Sequence, residues 1–314
     1  MICAAWNIRG FSLALKQNGV RHLIKEHSLD VVGILESKIK AAKLDWIMKV
    51  KFPGWKQVNN FDHHAAGRIF VIWNPAKVDL VPLGFSAQVI HCRVTCLTTA
   101  KAACMSFVYG LHSIVARRPL WSSLMDFGER CSVPWVLLGD FNSILSAGER
   151  VNGVEASSYE ISDFRDCCIS LGLSDIQSIG CFFTWTNNSI WSKLDRVLVN
   201  TKWWDAGFSG VAHFLPPGCL SDHSAVIFPI FEQIVGKKKP FKFFNMWTEH
   251  ANFSSVVGSV WNVNVHGCRQ FSLCKKLSLL KRDLKNLNLV HFSHISAKDE
   301  RANRELEKVH ISLQ

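Results

Sequence analysis

Five short polar segments within the first 230 residues carry side chains suited to the hydrolysis of a phosphate ester. They are Trp6-Asn7-Ile8-Arg9-Gly10, Leu35-Glu36-Ser37-Lys38, Leu138-Gly139-Asp140-Phe141-Asn142-Ser143, Ser192-Lys193-Leu194-Asp195-Arg196-Val197-Leu198 and Leu220-Ser221-Asp222-His223-Ser224. A hydroxide that attacks an anionic ester needs a metal ion and neutral or cationic donors nearby, because these groups cancel the developing charge. The segments therefore predict metal-assisted hydrolysis.

Two of these segments offer oxygen ligands at the ends of predicted strands. Asn7 supplies an amide oxygen and Glu36 a carboxylate. Hard oxygen ligands suit Mg²⁺, with Mn²⁺ as the alternative, in a site where the ion keeps several waters. Taken alone, Glu36 also fits the description of a solvated surface carboxylate.

The remaining segments suggest acid and base groups. Asp140 and Asn142 fall on the same side of an extended turn, where one is suited to activate water and the other to hold it or the phosphate. Asp195 is the candidate partner that fixes the tautomer of His223, and a positioned acid or base of this kind is typically worth ~10² to 10⁴ in rate. Tyr109, at a strand end, offers a hydroxyl to a phosphate oxygen. A structural turn, a surface histidine and a core tyrosine are the alternatives when each is considered alone.

In their order and rough spacing these segments resemble those of the endonuclease/exonuclease/phosphatase superfamily, over roughly residues 1 to 230. The resemblance implies a four-layer α/β sandwich with two packed mixed β-sheets and an active site at one end. It also implies a role for each candidate residue: metal site for Asn7, Glu36 and Asp222, phosphate contact for Tyr109, water activation and orientation for Asp140 and Asn142, and a partnership between Asp195 and His223.

Finer signals are similar to the endonuclease part of plant LINE-type retrotransposon proteins. They are Arg118-Pro119-Leu120-Trp121, Glu149-Arg150 and Phe183-Thr184-Trp185-Thr186-Asn187. This resemblance implies a Mg²⁺-dependent endonuclease that nicks DNA, and a nuclear location is expected because DNA would be the substrate. No Tyr-x-Asp-Asp polymerase run follows, so we expect a truncated element or a separately encoded fragment.

Two positions depart from the abasic-site branch of the superfamily. Arg9 stands where an Asp is usual, and His112 where an Asn is usual. Arg9 adds positive charge beside the predicted metal, so abasic-site specificity is not expected. Two alternatives stay open: a phosphatase or phosphodiesterase of the same superfamily acting on a phosphoinositide or lipid head group, and a non-catalytic retroelement relic that binds nucleic acid.

Apolar runs and segments of helical period alternate through the first 230 residues, which predicts a mixed α/β domain. The predicted strands are 2–6, 31–35, 68–73, 89–97, 105–109, 135–138, 182–185, 194–199 and 225–230. The predicted helices are 16–26, 42–50, 118–130 and 158–171.

Charge divides the chain into two predicted domains, 1–235 and 236–314. The first has 22 Lys and Arg against 19 Asp and Glu, and the second has 14 against 6, a net charge of +8. A basic turn at 236–240 separates them. In the second domain, leucines spaced by four and three residues predict an amphipathic helix; they are Leu273, Leu277, Leu280, Leu284 and Leu287, and Leu306, Val309 and Leu313 repeat the step.

This basic helical extension resembles the segment that joins such a nuclease to a reverse transcriptase. We expect its partners to be DNA, a second copy of the chain, or the absent reverse transcriptase. No apolar run is long enough for a membrane helix, and no signal peptide is evident, so no membrane partner is expected. The 11 cysteines, without zinc-type spacing, are expected to be reduced thiols.

Overall fold

The computed structural model describes residues 1–64, 68–218, 220–232, 243, 245–265 and 269–291. The chain divides into two units, Met1–Val235 and Gly236–Gln314. None of the described helices is both long enough and apolar enough to cross a membrane.

The strands of the described residues all lie in the first unit. They are β1 (Ile2–Asn7), β2 (Val31–Leu35), β3 (Lys56–Asn59), β4 (Ile69–Trp73), β5 (Val78–Phe85), β6 (Val89–Cys96), β7 (Ala102–Tyr109), β8 (Trp135–Asp140), β9 (Arg150–Val151), β10 (Ser174–Asp175), β11 (Ser178–Gly180), β12 (Trp185–Thr186), β13 (Trp191–Ser192), β14 (Asp195–Val199), β15 (Phe208–Gly210), β16 (Ala212–Phe214) and β17 (Val226–Glu232).

Helices of the described residues lie in both units. They are α1 (Ala14–His27), α2 (Ala41–Lys51), α3 (Ile114–Arg130), α4 (Ser158–Ser170), α5 (Thr201–Asp205), α6 (Phe253–Trp261) and α7 (Arg269–His291). Short 3₁₀ turns occupy Phe61–His63, Ala147–Glu149 and Asn245–Glu249. Ser113 and Ser157 cap α3 and α4 by accepting backbone N–H groups of the first helical turn.

Two large mixed sheets form the centre of the first unit. The first sheet has the order β11-β16-β17-β1-β2-β4-β3, with β15 also paired to β17. The second has the order β10-β14-β8-β7-β6-β5, and a small third sheet has the order β12-β13-β9. In each large sheet one central pair is parallel, β1 with β2 and β7 with β8. Parallel neighbours end at the same sheet edge, which is where open α/β sheets gather functional groups.

The side-chain alternation of the central strands creates three apolar layers. In β2, Val31 and Leu35 face the core between the sheets, while Val32 and Ile34 face α1 and α2. The second sheet is covered on its outer face by α3 and α4 through residues such as Trp121. The order helix, sheet, sheet, helix confirms the predicted four-layer sandwich with two packed mixed sheets.

Close contact between the sheets depends on a glycine in β2. A Cβ at Gly33 would lie 2.2 Å from the ring of Phe107 in β7. Because real Cβ atoms do not approach a ring so closely, any larger residue would push the sheets apart. The glycine therefore lets the phenylalanine fill the layer between the sheets.

Most predicted strands and helices correspond to observed elements, but one predicted strand was wrong, and β5 and several shorter strands were missed. The prediction of a strand over 182–185 fails because Phe182 and Phe183 lie in a loop, and strand geometry begins only at Trp185. Strand β5 was missed because Pro82 and Gly84 are poor strand residues. They are tolerated because β5 is an edge strand with an irregular register between them.

A buried ion network joins the second sheet to the small sheet. The guanidinium of Arg196, in β14, has no exposed surface and bonds to the carboxylates of Glu149 and Asp175. Glu149 also accepts the backbone N–H of Leu145 at 2.6 Å. A buried cation is stable only when paired, so this network ties the chain before β9 to the strand that begins with Asp195.

In the second unit, α7 packs through the C-terminal leucines of its series. Leu284 and Leu287 are buried against Trp247, whose indole N–H donates to Asn288 Oδ1 at 3.0 Å. Leu273 and Leu277 are exposed. The further predicted positions Leu306, Val309 and Leu313, and the basic turn at 236–240, lie outside the described residues.

Removing the acidic partner of Arg196 should destabilise the first unit. Glu149→Ala leaves the buried guanidinium with Asp175 alone, and breaking a buried ion pair in this way costs about 3 kcal/mol or more. Urea denaturation measures the free energy of unfolding. Glu155→Ala, at an exposed position nearby, is the control and should change it little. Equal effects from the two variants would contradict a stabilising role for the network.

Candidate active site

Strand ends from both sheets meet at one end of the sandwich. Asn7 ends β1, and its side-chain amide donates to Oδ2 of Asp140, the last residue of β8, at 2.8 Å. Tyr109 ends β7 and is the register neighbour of Asp140. Asp195 begins β14 and pairs with Asp140 from the other side. Glu36 follows β2 directly, so all five residues occupy strand ends.

The carboxylate of Asp140 is fully buried and surrounded by donors. Oδ1 accepts the backbone N–H of Asn142 at 2.8 Å. Oδ2 accepts the side-chain amide of Asn142 at 3.1 Å, in addition to that of Asn7. The Asn142 amide is itself held by the carbonyl of Gly110 at 2.8 Å. The two amides therefore orient the carboxylate and are oriented in turn.

The end of β8 requires a glycine immediately before Asp140. Gly139 has φ +138°, and a Cβ there would lie 2.2 Å from the carbonyl oxygen of Val108 on β7. Asn142 has φ +48°, a left-handed conformation that asparagine adopts more readily than most residues. The Gly-Asp-Phe-Asn segment thus has a backbone reason for its glycine and its asparagine.

His223 lies between two carboxylates. Its Nδ1 is 3.0 Å from Oδ2 of Asp195, and its Nε2 is 3.8 Å from Oδ2 of Asp140. Its backbone N–H donates to Oγ of Ser221, which donates to the carbonyl of Asn7 at 2.6 Å. The ring is buried, so its orientation is set by these contacts. The predicted pairing of Asp195 with His223 corresponds to the shorter of the two contacts.

Burial and neighbouring charges shift the pKa values of His223 and Asp140. Burial alone would lower the pKa of His223, but the carboxylates of Asp195 and Asp140 outweigh it and raise that pKa to about 9. Burial raises the pKa of Asp140 to about 7, an effect that Asp195 increases and that His223 and the Asn7 amide oppose. At neutral pH the imidazole is therefore cationic, while Asp140 is close to its titration range.

A second group of charges lies around Glu36. Lys38 Nζ is 2.5 Å from Oε1 of Glu36, and Arg9 Nε is 3.9 Å from Oε2. The Arg9 guanidinium also donates to Oδ2 of Asp222. The same oxygen accepts the indole N–H of Trp185 at 3.0 Å. Arg9 thus joins two of the three predicted metal-site residues.

Tyr109 is buried next to the charged groups. The Arg68 guanidinium lies 5.6 Å from the centre of its ring, within cation-π distance. Burial, together with the charges of Glu36 and Asp140, raises the pKa of the Tyr109 hydroxyl. The hydroxyl therefore stays protonated at neutral pH and is available as a hydrogen-bond donor.

Several residues that support the site were not singled out from the sequence. Thr184 Oγ1 accepts the backbone N–H of Asp195 at 2.8 Å, and Trp6 Nε1 donates to the carbonyl of His223 at 3.1 Å. Ser221 and Trp185 act as described above. All four belong to motifs noted for other reasons. The sequence, however, does not indicate which distant group a hydroxyl or an indole will contact.

Two groups of side chains are candidates to hold a metal. Ligand atoms of Asp140, Asp195 and His223 lie within 4.8 Å of one another. This trio offers two carboxylates and an imidazole to a cation. Near Arg9, Oδ1 of Asp222 is a buried oxygen without a hydrogen-bond partner among the described residues. This oxygen and the Glu36 carboxylate are hard ligands that fit a divalent cation.

The sequence matches a known family model over most of the first unit. The model described as Endonuclease/Exonuclease/phosphatase family matches residues 4–223. No curated protein matches the sequence.

Solved structures with a similar fold include nucleases and a phosphatase. The endonuclease domain of TRAS1, a telomere-specific non-LTR retrotransposon, has a TM-score of 0.56 at 12% identity, over 74% of this chain and 98% of that one. An AP endonuclease from Leishmania major has a TM-score of 0.58 at 14% identity, over 74% and 87%. A mannosyl-6-phosphatase from Bacteroides thetaiotaomicron has a TM-score of 0.52 at 15% identity, over 74% and 99%. Such low identities show a shared fold only.

The His223 imidazole should stay protonated well above neutral pH. In an NMR titration of its Cε1 proton, assigned by its absence in His223→Gln, the midpoint should lie near pH 9. Because the folded-state pKa is raised, the stabilisation from the protonated ring is fully present below about pH 6.5 and is lost as the pH rises through 9.

Replacing the carboxylate beside Nδ1 provides the matched test. Asp195→Asn should lower the His223 midpoint by about 1 to 3 pH units, because the nearest opposite charge is removed. Asp205→Asn removes an exposed carboxylate and should leave the midpoint unchanged. A wild-type midpoint at or below about pH 6.5 would show that burial outweighs the two carboxylates.

Proposed function

The chain belongs to the endonuclease/exonuclease/phosphatase family, and on that basis we propose that it is a Mg²⁺-dependent endonuclease that nicks DNA. Membership of this family identifies the chain as a hydrolase of the superfamily. The substrate, the metal and the roles of individual residues are the subject of the proposal. The observation that carries it is the buried Asp140 carboxylate, held by two amides and faced by a cationic His223.

In this proposal Asp140 activates the attacking water. A general base works best when its pKa lies near the working pH, and that of Asp140 is raised to about 7 by burial. The side-chain amides of Asn7 and Asn142 fix the orientation of the carboxylate. As the water oxygen bonds to phosphorus, the water proton passes to Asp140; the ester P–O bond breaks, and the leaving oxygen keeps the electron pair and takes up a proton from solvent water.

His223 and Tyr109 stabilise the negative charge that develops on the phosphate. The imidazolium carries a positive charge that Asp195 keeps in place, and the tyrosine hydroxyl is a neutral donor that stays protonated. Donors fixed before the reaction are effective because they need not reorganise as charge appears. Removing either group should slow the chemical step more than it weakens substrate binding.

Glu36 and Asp222, with the amide oxygen of Asn7 nearby, are the residues that would hold the metal. A bound Mg²⁺ or Mn²⁺ would supply Lewis-acid stabilisation of a phosphate oxygen. The fit rests on their hard oxygen donors and on the unpartnered Oδ1 of Asp222.

An extended surface beside the site favours a long polyanion over a small head group. The hairpin of β12 and β13 is joined to the site through Trp185, and Trp191 at its far strand is exposed. Phe182, also exposed, lies just before this hairpin. Exposed aromatic rings can stack on bases, and Arg68, beside the ring of Tyr109, supplies charge for phosphates. The similarity to a retrotransposon endonuclease domain agrees with DNA, and a nuclear location would follow from it.

Two other hypotheses make different predictions. A phosphatase acting on a phosphoinositide or lipid head group would release inorganic phosphate and leave DNA intact. A non-catalytic relic would do neither. The intact hydrogen bonds around Asp140 and His223 count against the relic, because random substitution of any partner would leave a buried group unpaired.

Plasmid nicking tests the proposal. Purified full-length protein with Mg²⁺ should convert supercoiled plasmid to the open circular form, and EDTA should stop it. Asp140→Asn and His223→Ala should each reduce the rate by about 10² to 10⁴ because each removes an acid or base group. Asp205→Asn, an exposed carboxylate variant, should keep wild-type activity.

Three outcomes would count against DNA as substrate or against catalysis here. Equal nicking by all variants would indicate a contaminating nuclease. Phosphate release from inositol polyphosphates without nicking would favour the head-group hypothesis. The absence of both activities, with Mn²⁺ substituted as well as Mg²⁺, would favour the relic.

A further inference from the structure

Arg9 occupies the position between two carboxylates that a metal ion would need. Its Nη1 donates to Oδ2 of Asp222, and its Nε lies 3.9 Å from Oε2 of Glu36. The cations beside these acids are the guanidinium and Lys38, whose Nζ is 2.5 Å from Oε1 of Glu36. Arg9 is the one that lies within 4 Å of both carboxylates, so it is the cation that offsets their mutual repulsion.

The backbone aims this side chain at the acids. Arg9 has φ +47°, and its N–H donates to Oδ1 of Asn7 at 3.1 Å. Lys16 Nζ binds the carbonyls of Ile8 and Arg9 at 2.6 and 2.9 Å, and the N–H of Gly10 donates to the carbonyl of Glu36 at 2.7 Å. These hydrogen bonds tie the loop to the strand end next to Glu36, so the backbone position of Arg9 is fixed.

The side chain of Arg9 can leave more easily than the acids can. Its exposed fraction is 49%, against 10% for the Glu36 side chain and 26% for that of Asp222. A half-exposed arginine can rotate into water at little cost because water replaces its hydrogen bonds. Glu36 is held by its buried surroundings and Asp222 by the indole N–H of Trp185 at 3.0 Å, so both would stay in place.

A divalent cation and a guanidinium cannot share the same oxygens, since like charges a few ångströms apart repel strongly. We propose that Arg9 is a built-in competitor for the metal: it holds Glu36 and Asp222 together in the metal-free protein, and the metal must displace it. The displaced guanidinium is then free to bind a phosphate of the substrate, so that metal binding and substrate binding are coupled. This inference rests on the metal site of the proposed function.

Direct metal binding tests the competition without measuring catalysis. Mn²⁺ is titrated into the full chain and free Mn²⁺ is followed by electron paramagnetic resonance, for wild type, Arg9→Ala and Arg9→Gln. Both variants should bind Mn²⁺ on the order of tenfold more tightly than wild type, a change of the size seen when groups beside metal ligands are altered. Glu36→Gln should abolish this binding in the wild-type and Arg9→Ala backgrounds.

Controls separate competition from a general change in charge. Arg93→Ala removes an exposed arginine on β6 and should leave Mn²⁺ affinity unchanged. Arg9→Lys keeps the charge but loses the planar guanidinium, whose separate nitrogens face Glu36 and Asp222. The affinity of this variant for Mn²⁺ should therefore lie between those of wild type and Arg9→Ala. Thermal unfolding adds an independent readout: Arg9→Ala should be less stable than wild type without metal, and Mn²⁺ should raise its Tm by a larger amount.

Equal or weaker Mn²⁺ binding by Arg9→Ala, or a matching gain in Arg93→Ala, would overturn the inference. The proposed nuclease function fails in a different way. If Arg9→Ala binds Mn²⁺ more tightly but no form of the protein nicks DNA, the competition stands and the function is wrong. If wild type, Arg9→Ala and Arg9→Gln bind Mn²⁺ equally and nick DNA, and His223→Ala does not nick it, the function stands and the competition is wrong.

Discussion

A carboxylate with no exposed surface stands at the meeting point of the two sheets, and the arrangement of its neighbours follows from the need to stabilise it. Burying a charge costs several kcal/mol unless it is paired and hydrogen-bonded. Asn7 and Asn142 supply hydrogen bonds to Asp140, and His223 supplies an opposite charge. These groups come from three distant parts of the chain, so the site cannot form until the sandwich has closed.

The sandwich positions these groups through two parallel strand pairs. Asn7 and Glu36 belong to one pair, and Tyr109 and Asp140 to the other. Close packing of Gly33 against Phe107 brings the sheets together, and the Asn7 to Asp140 hydrogen bond spans them at one end. The chemistry therefore depends on sheet packing as much as on the polar residues. A change in the spacing between the sheets would alter every distance across the site.

Charge is distributed unevenly across this end of the molecule. On one side a cationic imidazole lies between Asp195 and Asp140, and on the other Arg9 and Lys38 surround Glu36. Cations on both sides suit a substrate that carries negative charge, since they offset its desolvation. Under the proposed function, the same cations would weaken the attraction of the acids for a metal.

The sequence by itself determined the fold family and the positions of the candidate polar residues at strand ends. Strand ends can be located from short apolar runs, and the segments around Asp140, Asp195 and His223 each carry a recognisable local pattern. It could not indicate that Thr184 supports Asp195, that Pro82 lies in an edge strand, or that Phe182 and Phe183 form a loop. Only the tertiary structure decided these points and the position of Arg9 between Glu36 and Asp222. The physical reason is that local patterns record backbone preference and burial, whereas the partner of a polar side chain depends on which distant strand ends meet in space.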